Sequence, residues 1–484
     1  MTMRIATSIF LSAILLTAGV AAMIDFAPEA FALKAKGTPT MKYGQATKGK
    51  VCGDRLCSEP AATTTMPKTT IKNPTMTSDK PTMLINTDMG RPVLYLINTN
   101  TDAMITVELD KDPKWPGGAP LHTVATLDGS KVYLTLMSSD VDPLSIVAVS
   151  LSGIDWQRNT AMAKITNVMK IEEPGSTPSM LVPTETDLRQ PIVESMWVPG
   201  NHQLHGPTIL PSGTYAYTTQ WTDNKIRVID TETDTLADVD PIQFGSFSRQ
   251  IHGIFPNSMG TVGLGTGYYF DMDYITVYDI NQATGDLKLT GLIPLTVDEN
   301  KKTYGAFSHF VSWIDDRYAI TGTQQLGPTS LTPTSFDVVG PAIFLLDVQT
   351  KTAKMIIGPD TPTTEGIMQP SSDIAVVGSK LYVAEEDSMD EAIDEEGYLS
   401  IWDISNKNSP QLIKRMGPNN GLPSDFDVGH GLYVTPDQKY VYVQDWASGY
   451  LIKLDSKSDQ VLKIYDESDG FIMPHGGFVA GNLR

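Results

Sequence analysis

Six short segments of this chain share one layout: LHTVATLDGSKVYL, LHGPTILPSGTYAY, IHGIFPNSMGTVGL, SHFVSWIDDRYAI, GHGLYVTPDQKYVYV and PHGGFVAGNLR. Each begins with a histidine at its second position (His122, His205, His252, His309, His430 and His475), runs through a short apolar strand and meets a turn. The chain has 7 histidines in 484 residues, so only His202 lies outside this slot. Strand, turn and strand repeated at a period of roughly 40 to 60 residues cannot bury an apolar face unit by unit, and stacking such units around an axis gives a β-propeller. Equivalent positions then converge on that axis, which gathers the slot histidines around a central channel.

Inner strands starting near residues 122, 205, 252, 309, 372, 430 and 475 predict seven blades, an all-β architecture spanning residues 82–484. The unit SSDIAVVGSKLYVAEE places Ser372 or Asp373 in the slot that histidine fills elsewhere. Hairpins with β-branched and aromatic alternation recur as VLYLINTNTDAMITVEL, YAYTTQWTDNKIRVID, TVGLGTGYYFDMDYITVYDI, LYVAEEDSMDEAIDEEGYLSIWDI and YVYVQDWASGYLIKLD, and read as the middle strands of blades. After His475 comes a single strand, GGFVAG, while the repeat region opens with VLYLIN, which lacks a preceding partner. Pairing the two closes the ring with the C-terminal strand and protects both edges. The stretch EEPGSTPSMLVPTETDLRQPIVESMWVPG lengthens the interval before His202 and His205, and reads as an inserted loop over the channel mouth.

Ahead of the repeats, Arg4, an uncharged apolar run over residues 5–22 and the small-residue pattern Ala30-Phe31-Ala32 predict a signal peptide over residues 1–32. An exported protein follows, at a periplasmic, extracellular or outer-surface location. The alternative is an uncleaved anchor, the one reading that brings in a membrane. Residues 33–81 have the Thr, Lys, Pro and Met content of a flexible linker. Within it, VCGDRLCSE holds Cys52 and Cys57, read as a small disulfide loop or, alternatively, as a two-thiolate metal hook. Met41, Met66 and Met76 are scattered and read as nothing specific, with copper binding through thioether sulfur as the alternative.

With 36 Lys and Arg against 56 Asp and Glu, the formal charge of −20 opposes a nucleic-acid partner. The acidic run from Glu385 to Glu396 reads as a solvated loop, with calcium binding or docking of a basic redox partner as alternatives. Asp271 and Asp273 are ambiguous. The chain has no Ser/His/Asp order, phosphate-binding glycine loop, CxxCH or HExxH stretch to support hydrolase, nucleotide or c-type haem chemistry.

The segments HGLYVTPDQKYVYVQDWASGYLIKLD and HGPTILPSGTYAYTTQWTDNKIRVID resemble the YVTN-type propeller repeat, over about residues 82–484. Distantly, the chain also resembles the propellers of nitrous oxide reductase and of selenium-binding proteins of the methanethiol oxidase type, in which histidines serve copper. It departs from the first in lacking a C-terminal copper domain and from the second in lacking the cysteine motifs.

Imidazole nitrogen suits copper, with zinc or iron as alternatives. The expected function is therefore an exported propeller binding a transition metal through His122, His205, His252, His309, His430 and His475, with His202 as a further ligand or outer contact. As an enzyme it would be a metal-dependent oxidoreductase taking a small-molecule substrate, served by an electron-transfer protein. The contrasting expectations are a metal-free protein-binding scaffold, its histidines hydrogen-bonded in a polar channel, and a metal storage or delivery protein.

Overall fold

The computed structural model describes residues 50–52, 55–57, 82–136, 144–171, 204–220, 225–239, 242–243, 251–267, 274–298, 303–305, 308–324, 337–338, 341–358, 361, 371–386, 397–418 and 420–481. Within them the chain forms seven antiparallel sheets, six of four strands and one of five, arranged as the blades of a propeller. Blade I joins Pro474–Ala480 to Met83–Asp88, Val93–Asn98 and Met104–Glu108. Blade II follows with Pro120–Ala125, Lys131–Leu136, Leu144–Asp155 and Thr160–Ile171. The inner strands of blades III to VII are Leu204–Ile209, Ile251–Pro256, Ser308–Trp313, Ser371–Val377 and Gly429–Val434.

The burial pattern explains why these segments look so apolar. Second strands such as Lys131–Leu136 and Lys380–Glu385 are buried at nearly every position, because each sheet is covered on both faces by its neighbours. Alternation with solvent survives in the outermost strands, for example Thr352–Ile357 and Gln411–Met416. The core lies between blades: Ile85, Leu94 and Leu96 of blade I pack with Val132, Leu134 and Val147 of blade II, and Leu84 and Tyr95 pack with Tyr442 and Leu451 of blade VII.

Ring closure is made by the C-terminal strand, as the repeats predict, but its partner is one strand earlier than VLYLIN. Pro474–Ala480 pairs with Met83–Asp88, from Met83 opposite Ala480 to Asp88 opposite Pro474, and Val93–Asn98 is the third strand of that blade. MLINTD escapes notice in the sequence because all six of its residues are buried and its polar half shows no two-residue alternation.

Three turns pin neighbouring blades together. Asp102, Asp234 and Asp459 adopt the left-handed backbone conformation, with φ of 61°, 56° and 55°, between the third and fourth strands of blades I, III and VII. Their carboxylates accept Lys453 Nζ at 2.5 Å, Lys131 Nζ at 2.9 Å and Lys380 Nζ at 2.7 Å, each from an adjacent blade. Tyr133 and Tyr382 donate to the same Asp234 and Asp459 at 2.7 and 2.5 Å.

Outside the blades, Lys50–Cys52 pairs with Arg55–Cys57, Cys52 facing Arg55 and Cys57 facing Lys50 across the hairpin. The two cysteine side chains lie outside what is described, as do the segment expected to be a signal peptide, most of the expected linker and the stretch expected to form an inserted loop before His205. Among the described residues no helix is long and apolar enough to cross a membrane.

Candidate metal centre

The inner strands share a local irregularity that accounts for the histidine slot. Their pairing with the second strand shifts register between Pro120 and Thr123, His205 and Thr208, Ile251 and Gly253, Ser308 and Val311, Ser371 and Ile374, and Gly429 and Gly431. In blade I the shift falls between Asn86 and Asp88, opposite Gly477 and Pro474. A bulge bends the strand and re-aims a side chain. His122, His252, His309, Asp373, His430 and His475 lie inside the irregular step, and His205 begins it.

Six imidazoles meet as a result. Going round the axis, ring centroids lie 4.8 Å apart for His122 and His205, 4.9 Å for His205 and His252, and 3.9 Å for His252 and His309. The circuit closes through His309 and His430 at 5.0 Å, His430 and His475 at 4.7 Å, and His475 and His122 at 4.6 Å. All are buried except His122, which is half-buried. The glycines following several of them permit the crowding: a Cβ on Gly206 would stand 2.3 Å from the His252 carbonyl oxygen, and one on Gly476 would stand 2.5 Å from His122 Cα.

Blade VI contributes Asp373, resolving the choice between Ser372 and Asp373. Its Oδ1 lies 3.2 Å from His309 Nδ1, and its Oδ2 accepts the Leu432 backbone N–H at 3.3 Å. Beside it, His430 Nδ1 lies 2.7 Å from Glu386 Oε1, and Gln324 Nε2 donates to Glu386 Oε2 at 2.9 Å. His475 Nδ1 is 3.2 Å from the Leu121 carbonyl oxygen, and His122 Nε2 is 3.1 Å from His205 Nδ1.

Glu385 and Glu386 are therefore not part of a solvated acidic loop. Both are fully buried, Glu385 in an ion pair with the equally buried Arg415 at 2.6 Å, whose guanidinium lies over the Tyr398 ring. Glu385 ends the second strand of blade VI and Glu386 follows it, bridged to Val428, where the acidic run makes both look exposed in the sequence. Residues 387–396, Asp271, Asp273 and His202 lie outside the described residues.

Electrostatically the ring is uneven. Burial, reinforced by the neighbouring histidines, pushes His122, His252 and His475 well below the ordinary imidazole range and His205 down to about 3. At His430 burial opposes the charged form, but the hydrogen bond and negative charge of Glu386, with Asp373 behind, outweigh it and raise the pKa. The ring thus offers neutral imidazoles, the state that binds metal, beside two buried carboxylates.

Among the described residues no group of three or more His, Cys, Asp or Glu side chains is set around one point as a ready-made metal site. The dimensions of the ring explain this. A regular six-membered ring with edges of 3.9 to 5.0 Å would hold its nearest nitrogens about 3.5 Å from the centre, whereas imidazole nitrogen binds metal at about 2.0–2.1 Å. Two imidazoles sharing one ion have centroids about 5 Å apart, which is the spacing of ring neighbours.

No family model matches the sequence, and no curated protein matches it. Solved structures do resemble it in fold. A functionally unknown protein from Desulfotomaculum acetoxidans DSM 771 superposes with a TM-score of 0.53 at 13% identity, over 82% of this chain and 98% of its own. A candidate 6-phosphogluconolactonase of Bacteroides fragilis NCTC 9343 gives 0.52 at 14% identity, over 84% and 99%. The periplasmic gluconolactonase of Pseudomonas aeruginosa gives 0.52 at 9% identity, over 83% and 99%. At these identities the likeness establishes the fold alone: this chain is a seven-bladed β-propeller closed by its C-terminal strand.

Proposed function

We propose that this chain is an exported propeller that binds a transition metal, copper foremost, through its axial histidines. The observation that carries the reading is the closed circuit of six imidazoles at 3.9 to 5.0 Å, five buried and His122 half-buried, with four of them shifted toward the neutral form. Neutral imidazole is a borderline-soft donor suited to copper and also to zinc and iron. Ions would seat between neighbouring rings rather than at one central point.

Redox or Lewis-acid chemistry on a small molecule admitted along the axis follows as the enzymatic form of this reading, with an electron-transfer protein as partner. Half-buried Trp446, its ring 6.3 Å from that of His475, lies beside the circuit.

The test is elemental mass spectrometry on protein purified without a histidine tag, alongside a His252→Ala, His430→Ala double variant. Near-stoichiometric copper that disappears in a variant still folded by circular dichroism supports the reading. A metal-free protein that also rejects added copper and zinc overturns it and leaves a propeller scaffold.

A further inference from the structure

The ring is uneven in a way that selects where a metal enters. His309 and His430 are ring neighbours, 5.0 Å apart, and each has its Nδ1 on a buried carboxylate: Asp373 at 3.2 Å and Glu386 at 2.7 Å. An ionised carboxylate only accepts, so in the neutral imidazole the hydrogen sits on Nδ1 and the lone pair on Nε2. A carboxylate behind a ligating histidine fixes its tautomer and ring plane and raises its basicity.

The carboxylates are themselves held by groups from other blades. Asp373 accepts the Leu432 N–H of blade VII, and Glu386 accepts Gln324 at the end of the second strand of blade V. Their charges also offset that of an incoming cation in a buried site. On the His122 and His205 edge the situation is reversed. There the 3.1 Å contact between His122 Nε2 and His205 Nδ1 shares one hydrogen, and two metal-binding lone pairs at those atoms require that bond to break.

We propose that the first metal ion binds between His309 and His430, and that Asp373 and Glu386 are its positioning residues, holding both imidazoles as Nδ1–H tautomers. This rests on the metal reading for its occupant, but the tautomer assignment stands or falls without metal. His475, whose Nδ1 faces the Leu121 carbonyl, is the neighbour placed to join next.

The experiment has a metal-free and a metal-loaded arm, both on the full chain. In the first, nitrogen-15 NMR of the histidine-labelled, chelator-treated protein should show Nδ1–H tautomers at His309 and His430, assigned through His309→Gln and His430→Gln. Glu386→Leu should release the tautomer of His430, and Glu386→Gln, which keeps an acceptor oxygen, should preserve it. In the second, titration with copper(II) alone should show the first equivalent weakened about 10- to 100-fold by Glu386→Leu or Asp373→Ala, and only a few-fold by Glu386→Gln.

The paramagnetic resonance spectrum of that first equivalent should change in His430→Gln and persist in His122→Gln. Nε2–H tautomers at both positions, or a first-equivalent signal lost in His122→Gln and retained in His430→Gln, overturn the proposal. Should Glu386→Leu fail to fold, the tautomers in the unsubstituted protein and the two histidine variants decide it. Failure of copper and zinc to bind at all overturns the metal reading and the entry site with it, and the tautomer spectrum then separately decides the positioning role.

Discussion

Mild acid should destabilise the metal-free protein before its ordinary surface carboxylates titrate. Burial and mutual repulsion hold His122, His205, His252 and His475 below the value near 6.5 that an unfolded histidine has, His205 at about 3. Between the folded and unfolded pKa values the unfolded chain binds the extra proton, so stability rises with pH in that window and is lost as pH falls. From about pH 7.5 to about pH 5, one histidine that stays neutral in the folded state costs about 2 kcal/mol, and four such groups at most about 8 kcal/mol, because the rings repel one another and do not titrate independently. Two groups work the other way. His430 has a raised pKa, so the stability it contributes is complete below the unfolded value and is lost as pH rises through the folded one.

Asp445, pushed up to about 7 by burial despite the backbone N–H groups it accepts, takes up its proton within the same range and offsets about 2 to 3 kcal/mol. The loss is then at most about 5 to 6 kcal/mol before the gain at His430 is counted, still a large part of the 5–15 kcal/mol typical of a folded domain. Urea unfolding of the chelator-treated chain across that pH range, followed by circular dichroism and tryptophan fluorescence with coincident transitions, measures it. His205→Gln should flatten the pH slope by about one proton's worth. Stability that is flat from about pH 7.5 to about pH 5, or a slope unchanged in His205→Gln, would refute the neutral buried ring.

Three further outcomes follow from the scaffold. A chain ending at residue 470 loses the closing strand together with buried Phe471 and Val479, each worth about 1.5–3 kcal/mol, and should lose cooperative thermal unfolding; a truncated protein melting like the full chain contradicts ring closure. Gly206→Ala sets a methyl group against the His252 carbonyl at a position with φ of 48°, and should cost about 2–4 kcal/mol in urea unfolding, with an unchanged midpoint counting against the close approach of the inner strands. Asp459→Ala removes the carboxylate that Lys380 and Tyr382 share, leaving them the Ser456 carbonyl, and should cost about 1–3 kcal/mol, whereas Asp459→Asn, which tolerates the same left-handed backbone, should cost less.

The blade count and the convergence of the histidines were legible because a repeated slot is a one-dimensional signal. His122, His205, His252, His309, His430 and His475 all reach the axis because each occupies the same step of the same strand. What could not be read is whatever depends on how blades meet. Glu386 belongs to an acidic run in the sequence and to a buried hydrogen bond in the fold, and nothing local distinguishes it from the residues that follow.

MLINTD was lost for a related reason: a strand buried on both faces has no alternation to announce it, and its partner lies at the far end of the chain. The bulges were equally silent, since a register shift arises from the pairing of two strands rather than from the residues of one. Lys131 and Asp234, or Lys380 and Asp459, are ordinary turn and strand residues until the blades stack. Asp373 could have been chosen over Ser372 by one signal, its carboxylate, which can support a neighbouring imidazole where a hydroxyl cannot hold a charge.

His475 rides on the strand that closes the ring, and the Asn86 side chain that bonds the backbone at Gly476 lies 390 positions away in sequence. Synthesis delivers that strand only after the other inner strands of the propeller, and a contact of such long range forms late because its loop-closure entropy must first be overcome. Until then the circuit is open and its imidazoles face solvent on one side. A ligand that needs the whole circuit can therefore be retained only by molecules that have finished folding, and its binding deepens the native state in proportion to its concentration over its dissociation constant. An ion that also took His475 would thus mark molecules whose closing strand has seated, whereas one held by His309 and His430 alone would not.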